Sequence, residues 1–363
     1  MAIYGPRRLV DLALPSGWDG AELERLSLQD GTTIAEVVSR LTTAIAGLNA
    51  ELMSNTMIGG LSFRSPERAI RYADGGSGNE MQTHTEYGLP GEERGALEGH
   101  MAPLNPKDAG LGWTWDYLRK ADLAQIDVDI AVALEQVRNT YEKAPLTRLF
   151  ASTHNVVGTS GYDVGLADGN QSTVIWAPTP FDGQSFATTH THYNELATLN
   201  VATALRPTAE HLVEHGHKPP FILLAAFADK ATYVALSEFT PRGADGIRYG
   251  LTQDLATLSD EFLGVVDVEG TAVYIKLSNR IPTTYGAMYK AYGQNSRKNP
   301  LRWCYAEDIG PGAVALATKQ YRTFPVEGIM LFAEFGFTGG MDRTNGACFE
   351  IASGGTYTVP TIT

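Results

Sequence analysis

Between Asp122 and Phe150 the chain reads DLAQIDVDIAVALEQVRNTYEKAPLTRLF, and no other stretch restricts the possible folds as strongly. Leu123, Ile126, Ile130, Leu134, Val137 and Tyr141 recur at steps of three and four. That spacing lays them on one stripe of an α-helix and leaves Asp127, Asp129, Glu135, Arg138 and Asn139 on the other faces. Pro145 is expected to end the helix near Lys143, whose cation suits a helix C-terminus. A helix over 122–144 is roughly 33 Å long, enough to serve as the spine of an extended subunit. An ordinary amphipathic helix carries the same pattern, so its neighbours must decide.

Upstream, residues 1–30 are interrupted by Pro6, Pro15, Gly17 and Gly20 and read as an arm. Thr33-Ile34-Ala35-Glu36 is a capping box, in which the threonine hydroxyl and the glutamate carboxylate satisfy each other's free amides. Ile34, Val37, Leu41, Ile45, Leu48 and Leu52 then supply a helical apolar stripe. Residues 59–112 are different. They carry no sustained stripe and many breakers, including Gly75-Gly76-Ser77-Gly78, Gly88, Pro90, Gly91, Pro103 and Pro106. Strand-like pieces remain at Ala69–Ala73 and Met81–Tyr87, with polar residues on both faces. A strand pair that buries neither face is marginal alone, and gains partners if a neighbouring subunit supplies them. Arg68, Arg71, Glu86, Glu92, Glu93 and Arg94 are the charges that suit such lateral pairing; they equally suit a solvated loop.

The net charge of -13 argues against a surface built to grip phosphate backbones. No segment approaches the ~18 apolar residues of a membrane span, and the start has no apolar run fit for a signal peptide. A soluble protein made in the cytoplasm is expected. The two cysteines, Cys304 and Cys348, match no metal or redox spacing and are expected as free thiols.

After the long helix the pattern turns β-rich, at Asn155–Gly158 and Ser172–Pro180. A helical piece follows, with Pro207 early and Gly216 as its C-cap. FILLAAF at Phe221–Phe227 is a continuous apolar run of the kind a buried strand carries. Residues 260–278 alternate between short strands and turns at Gly264 and Gly270. Residues 330–358 read as strands, with Asn345-Gly346 as a hairpin turn joining two of them.

Histidines supply the one enzymatic lead. His190 and His192 fall on one face of a strand-like segment, and His211, His215 and His217 follow on or after the helix. A zinc site needs three or four converging ligands, but no HExxH is present and the eight-fold βα pattern of an amidohydrolase is missing. Hydrogen-bonded structural histidines are expected, with no metal and no cofactor. GxGxxG after a strand, GxxxxGK[ST] and GxSxG are all absent, so no catalytic residue is assigned.

Several blocks in order along the last 180 or so residues resemble major capsid proteins of tailed double-stranded-DNA bacteriophages. They are Phe186–Tyr193 (FATTHTHY), the helix ending Glu214-His215-Gly216-His217, FILLAAF, Asn299-Pro300-Leu301-Arg302, Phe324–Gly328 (FPVEG), Glu334–Phe337 (EFGF), Arg343–Ala347 (RTNGA) and Gly355–Pro360 (GTYTVP). The resemblance implies an α+β, Hong Kong 97-like capsid fold. On it, 1–58 is the N-terminal arm and helix, 59–112 an extended β-hairpin called the E-loop, and 113–194 a peripheral domain around the spine helix 122–144. Residues 195–325 form an axial domain, and 326–363 return as strands to the peripheral domain.

The implied function is self-assembly into pentamers and hexamers of an icosahedral shell around phage DNA, which is packaged without sequence-specific binding. The implied partners are copies of the chain, the portal protein, and scaffolding and decoration proteins, with no membrane; the implied location is the virion. An acidic wall fits DNA that must slide past it. Isopeptide cross-linking, which in some relatives uses an E-loop lysine, is not expected, because the first lysine is Lys107. Two alternatives stand beside this reading: an encapsulin-type nanocompartment shell of the same fold, and a metal-dependent hydrolase using His190, His192 and His215.

Overall fold

The computed structural model describes residues 27–73, 97–153, 155–157, 161–167, 191–241, 262–307, 315–317 and 326–363. In chain order its elements begin with α1 (Ile34–Ser54), α2 (Thr56–Leu61), β1 (Ser62–Ser65), β2 (Ala69–Ala73), β3 (Leu97–Met101), β4 (Asn105–Thr114), α3 (Trp115–Lys120) and α4 (Leu123–Phe150). There follow β5 (Asn155–Val157), β6 (Gly161–Asp163), β7 (Tyr193–Leu196), a π-helical turn at Val201–Leu205, α5 (Arg206–Glu214), β8 (Phe221–Ala226), α6 (Lys230–Val234) and β9 (Phe239–Pro241). Last come β10 (Phe262–Val268), β11 (Thr271–Ser278), β12 (Tyr285–Tyr289), β13 (Leu301–Tyr305), β14 (Ala315–Ala317), β15 (Val326–Gly339) and β16 (Ala347–Ile351). No helix among the described residues is long and apolar enough to cross a membrane. The chain divides into two compact units: Met1–Asn55 with Leu104–Glu142 and Cys304–Gly336, and Thr56–Pro103 with Lys143–Trp303 and Phe337–Thr363.

In the first unit α1 opens with the expected capping box. The Glu36 amide donates to Thr33 Oγ1 at 3.3 Å, and the Thr33 amide donates to Glu36 Oε2 at 2.9 Å. Val37, Leu41, Ile45, Leu48 and Leu52 are buried along one stripe, as are Ile126, Ile130, Val137 and Tyr141 of α4. Two carboxylates accept the first free amides of α4: Asp30 Oδ2 from Leu123 and Asp122 Oδ1 from Gln125, both at 2.9 Å. β15 pairs antiparallel with β4 from Val326↔Thr114 to Phe335↔Asn105, and also with β14. Trp113 Nε1 and Tyr117 OH both donate to Asp129 Oδ2, at 2.9 and 2.8 Å. Those bonds fasten the end of β4 and the start of α3 to the long helix. Tyr141 stacks on Phe335 with ring centroids 4.1 Å apart.

The long helix corrects one expectation. It does not stop near Lys143 but runs through Pro145 to Phe150. Proline cannot donate to the carbonyl four residues back, which costs about 3 kcal/mol in a helix interior. Leu146, Leu149 and Phe150 are fully buried just beyond it. Burial of such side chains stabilises by roughly 1.5–3 kcal/mol each, so packing outweighs the missing bond.

The second unit is built on a seven-stranded sheet, ordered β7-β16-β12-β8-β11-β10-β9. Its central strand β8 takes FILLAA of the FILLAAF run, parallel to β11 and antiparallel to β12, while Phe227 falls beyond the strand and is exposed rather than buried. Every residue of β8 is buried, because side chains alternate and both faces are covered. Phe221, Leu223 and Ala225 join a core with Leu205, Ala209 and Leu212 around α5. Ile222, Leu224 and Ala226 join a second core with Leu61, Leu146, Leu149 and Phe150.

Local signals explain the edges of this unit. Pro207 sits in the first turn of α5. At the other end Gly216, at φ +82°, lets its amide reach the Val213 carbonyl and the His217 amide reach Leu212, a Schellman close. Glu269 and Gly270, at φ 51° and 87°, turn β10 into β11. Gly264, expected in a turn, lies instead inside β10 where the register shifts. A Cβ there would collide with the Phe239 ring and the Thr240 carbonyl.

One further expectation is corrected. Asn345-Gly346 is not a hairpin turn: β15 pairs with β4 and β14, while β16 pairs with β12 and β7. Neither residue takes the positive φ that a two-residue hairpin needs. β15 up to Gly336 belongs to the first unit, and Phe337–Thr363, with β16, belongs to the second.

Candidate functional site

Short strands β2 and β3 form a two-stranded sheet from Ala69↔Met101 to Ala73↔Leu97. The chain between them, with Glu86, Glu92, Glu93 and Arg94, lies outside the described residues, as does the expected strand Met81–Tyr87. Arg71 stands in β2 opposite Gly99. Arg68 is half-buried at the base of the ribbon, and its Nε donates to Ala102 O at 3.1 Å while its own carbonyl accepts from the Ala102 amide at 2.7 Å. Arg68 therefore closes the base of its own hairpin.

The root of this ribbon is gripped by Arg302, a residue whose role the sequence alone did not reveal. Its side chain is buried, and Nη2 donates to Ser65 Oγ at 2.9 Å and to the Glu67 carbonyl, with Glu67 Oε2 at 3.7 Å. Nη1 reaches Ala69 O at 3.4 Å, and the guanidinium lies 5.4 Å from the Phe63 ring centre. Nearby, the fully buried Asn299 donates from Nδ2 to the carbonyls of Gly59, Ser62 and Gly293 at 3.0–3.2 Å. The Asn299–Arg302 block thus orients both α2 and the strands leading into the ribbon. A charged residue inside the apolar strand LRWCY was the available signal.

A second group of buried polar side chains ties loops of the same unit together. Arg148 pairs with Asp163 at 2.7 Å and donates to the carbonyls of Ala151 and Thr153 at 2.5 and 2.9 Å. Tyr193 OH donates to Ala151 O at 2.8 Å and accepts from the Leu166 amide at 3.0 Å; burial pushes this phenol up. Arg343 donates to the carbonyls of Gly165 and Leu166 at 3.0 and 3.2 Å. Asn345 donates to the Lys290 and Lys298 carbonyls and accepts from the Lys290 amide, all at 2.7–2.8 Å. Both cysteines are buried thiols outside any disulfide, and burial raises the Cys348 thiol well above its ordinary value.

The structure brings three of the candidate histidines together. One ring nitrogen from each of His192, His211 and His215 lies within 4.8 Å of the others. His192 Nε2 is 3.1 Å from His215 Nε2, and His192 Nδ1 is 2.5 Å from the Gly346 carbonyl. His217 is separate, held between Tyr292 OH at 2.9 Å and Thr344 Oγ1 at 3.0 Å. Burial depresses its pKa, opposed by the nearby Asp342 carboxylate. His190, which the hydrolase reading requires, lies outside the described residues.

Taken together, these features describe a rooted β-ribbon and a scaffold of buried cross-braces. The described residues carry no nucleophile–base pair that we can assign.

No family model matches the chain, and no curated protein matches it. Solved structures do. A chain of Mycobacterium phage Patience is 18% identical with a TM-score of 0.64, over 96% of this chain and 97% of that one. The capsid of the native GTA particle is 10% identical with a TM-score of 0.50, over 83% and 91%. The mature capsid of bacteriophage PhiM1 is 13% identical with a TM-score of 0.49, over 80% and 85%. The chain has the fold of phage-type capsid subunits, the α+β Hong Kong 97-like class that the sequence blocks resemble.

Proposed function

We propose that this chain is the major capsid protein of a tailed bacteriophage, assembling as pentamers and hexamers into an icosahedral shell around double-stranded DNA. The observation that carries the reading is the fold agreement over 96% of this chain with a phage chain of nearly equal extent. Two features support it. The β2–β3 ribbon pairs only with itself among the described residues, and such a ribbon gains stability when a neighbour covers it. The net charge of -13 disfavours adhesion of packaged DNA.

On this reading 59–112 is the E-loop, rooted by Arg302, and Arg71, Glu86, Glu92, Glu93 and Arg94 are its lateral contacts. The first unit with α4 is the peripheral domain. The axial domain is the seven-stranded unit, so it includes β16 and omits 304–325. Portal, scaffolding and decoration proteins are the remaining partners, and the role is structural rather than enzymatic.

The test is negative-stain microscopy of the purified chain. Closed icosahedral particles or capsomer rings are the expected result. A monodisperse monomer or dimer, even at high concentration with scaffold supplied, would sink the proposal. Particle contents separate a phage head from an encapsulin: DNA in one, a protein cargo in the other. Deleting residues 66–104 should leave a soluble subunit that forms no stable shells.

A further inference from the structure

We propose that His192, His211 and His215 bind one transition-metal ion, with zinc as the reference case, and that this ion clamps the C-terminus of α5 to the segment entering β7. The sequence pairs His192 and His215 with His190 only in the hydrolase alternative; the convergence of His192, His211 and His215 is a property of the fold. His211 on α5 and His215 at its C-cap are one turn apart, so their imidazoles share a face. His192 comes from a distant segment whose backbone is fixed on both sides. Its amide donates to Ala167 O at 3.0 Å, and its carbonyl accepts from the Cys348 amide at 2.7 Å.

The tautomer of His192 follows from its contacts. A carbonyl can only accept, so the 2.5 Å contact to Gly346 O places the proton on Nδ1. In its neutral form the ring then presents its lone pair at Nε2, 3.1 Å from His215 Nε2. An imidazole oriented by a backbone carbonyl at one nitrogen, with its other nitrogen turned toward further imidazoles, is the arrangement found around bound metals. A simple N–H···N bond between two rings also accounts for 3.1 Å. It does not account for a third imidazole: the His192 and His211 ring centres are 4.2 Å apart, and those of His211 and His215 are 5.6 Å apart.

Ligand nitrogens around a tetrahedral zinc, with bonds of about 2.0–2.1 Å, stand about 3.4 Å from one another. The three nitrogens here are mutually within 4.8 Å, so small side-chain rotations complete the site. Three imidazoles without a carboxylate suit zinc, cobalt, nickel or copper rather than magnesium or calcium. Water takes the fourth position. His192 is fully buried and His215 nearly so, while His211 is half-buried and gives the ion a way in. The ion closes the loop from 192 to 211, a constraint that disfavours the unfolded chain.

The experiment uses the untagged full-length chain, stripped with chelator, dialysed and titrated with zinc sulfate. Bound metal is measured by elemental mass spectrometry, and thermal unfolding is followed in parallel. About one zinc per chain and a zinc-dependent rise in Tm are expected. His211→Gln, at the most exposed of the three positions, should fold as the parent does and weaken zinc binding by more than ~100-fold, beyond the usual loss on altering an outer-shell partner. Cobalt should give the intense visible bands of a tetrahedral site with the parent and lose them in His211→Gln. No zinc bound by the parent, or equal binding by His211→Gln, would overturn the proposal. Either result leaves the shell reading intact, since that reading rests on the fold agreement and is tested separately by particle formation.

Discussion

Arg138 holds Glu51 through two parallel bonds, Nε to Oε1 at 2.9 Å and Nη2 to Oε2 at 2.8 Å, across 87 positions of sequence. Arg40 and Asp127, also 87 apart, pair at 3.3 Å. The two pairs lie eleven residues, or about three helical turns, apart on each helix, so α1 and α4 run in the same direction with one stagger. The side chains remain one-third to one-half exposed, so screening limits their worth to about 0.5–1 kcal/mol for the bidentate pair and less for the other.

Glu51→Gln should therefore lower the unfolding free energy at neutral pH by no more than ~1 kcal/mol. The hydrogen bond from Arg138 holds the Glu51 carboxyl below its ordinary value of 4.5. Its contribution is complete above that value and is lost as pH falls through the lower, folded-state value. Urea unfolding of parent and variant at neutral pH and near pH 3 checks the sign. The difference should shrink in acid; one that grows there contradicts the assignment.

Arg302→Met should be far more costly, about 3 kcal/mol or more. Its removal takes the charged donor away from the Ser65, Glu67 and Ala69 acceptors, which are part-buried around the buried Arg302 side chain. Arg302→Lys should not restore the parent, since an ammonium cannot span the fork that reaches three residues. Hydrogen exchange is the direct readout. Amides of β1, β2 and β3 should lose protection selectively, and shell formation should fall with them. Unchanged protection there would show that the ribbon is rooted by its other contacts.

These cases also mark what could be read from sequence. α1 was legible because its cap and stripe are local, and β8 because burial on both faces demands an unbroken apolar run. The end of α4 was misread: a local breaker, Pro145, is overruled by Leu146, Leu149 and Phe150, whose burial depends on the second unit's core. Asn345-Gly346 was misread for a related reason, since its local turn propensity is outweighed by bonds to residues near 290 and 298. Arg302 reaches partners about 235 positions away, which no window on the chain contains. For the histidines, the 211/215 spacing was visible, but the approach of His192 is set by sheet topology.

Gly216→Ala should cost about 1 kcal/mol, because an L side chain at φ +82° strains the Schellman close of α5. Gly110→Ala is the control: a Cβ there meets nothing within 4 Å, and its effect should stay within about 0.5 kcal/mol. Chemical denaturation of the two variants side by side decides. Equal effects would mean that the strain at residue 216 is relieved by local rearrangement.

Asn345→Asp gives the sharpest pH signature. In the parent, Nδ2 donates to Lys290 O at 2.8 Å and Lys298 O at 2.7 Å, while Oδ1 accepts from the Lys290 amide at 2.8 Å, all in a fully buried site. The substitution replaces a two-proton donor with a carboxylate oxygen facing two carbonyls. The ammonium of Lys290 donates to Pro220 O at 3.2 Å, and that of Lys298 lies 5.3 Å from the Tyr292 ring centre, so both are engaged elsewhere. A loss of about 3 kcal/mol at neutral pH is expected from the unmet donors and the buried charge. Burial and the facing carbonyls raise the new carboxyl's folded-state pKa above its unfolded value, so the protonated form is favoured in the native chain. Part of the lost stability should then return as pH falls toward the unfolded carboxylate range, because the neutral acid can donate one bond. Asn345→Leu, which cannot titrate, should be destabilised without that recovery. Parallel pH dependence of the two variants would mean that the carbonyls of Lys290 and Lys298 do not face the substituted group.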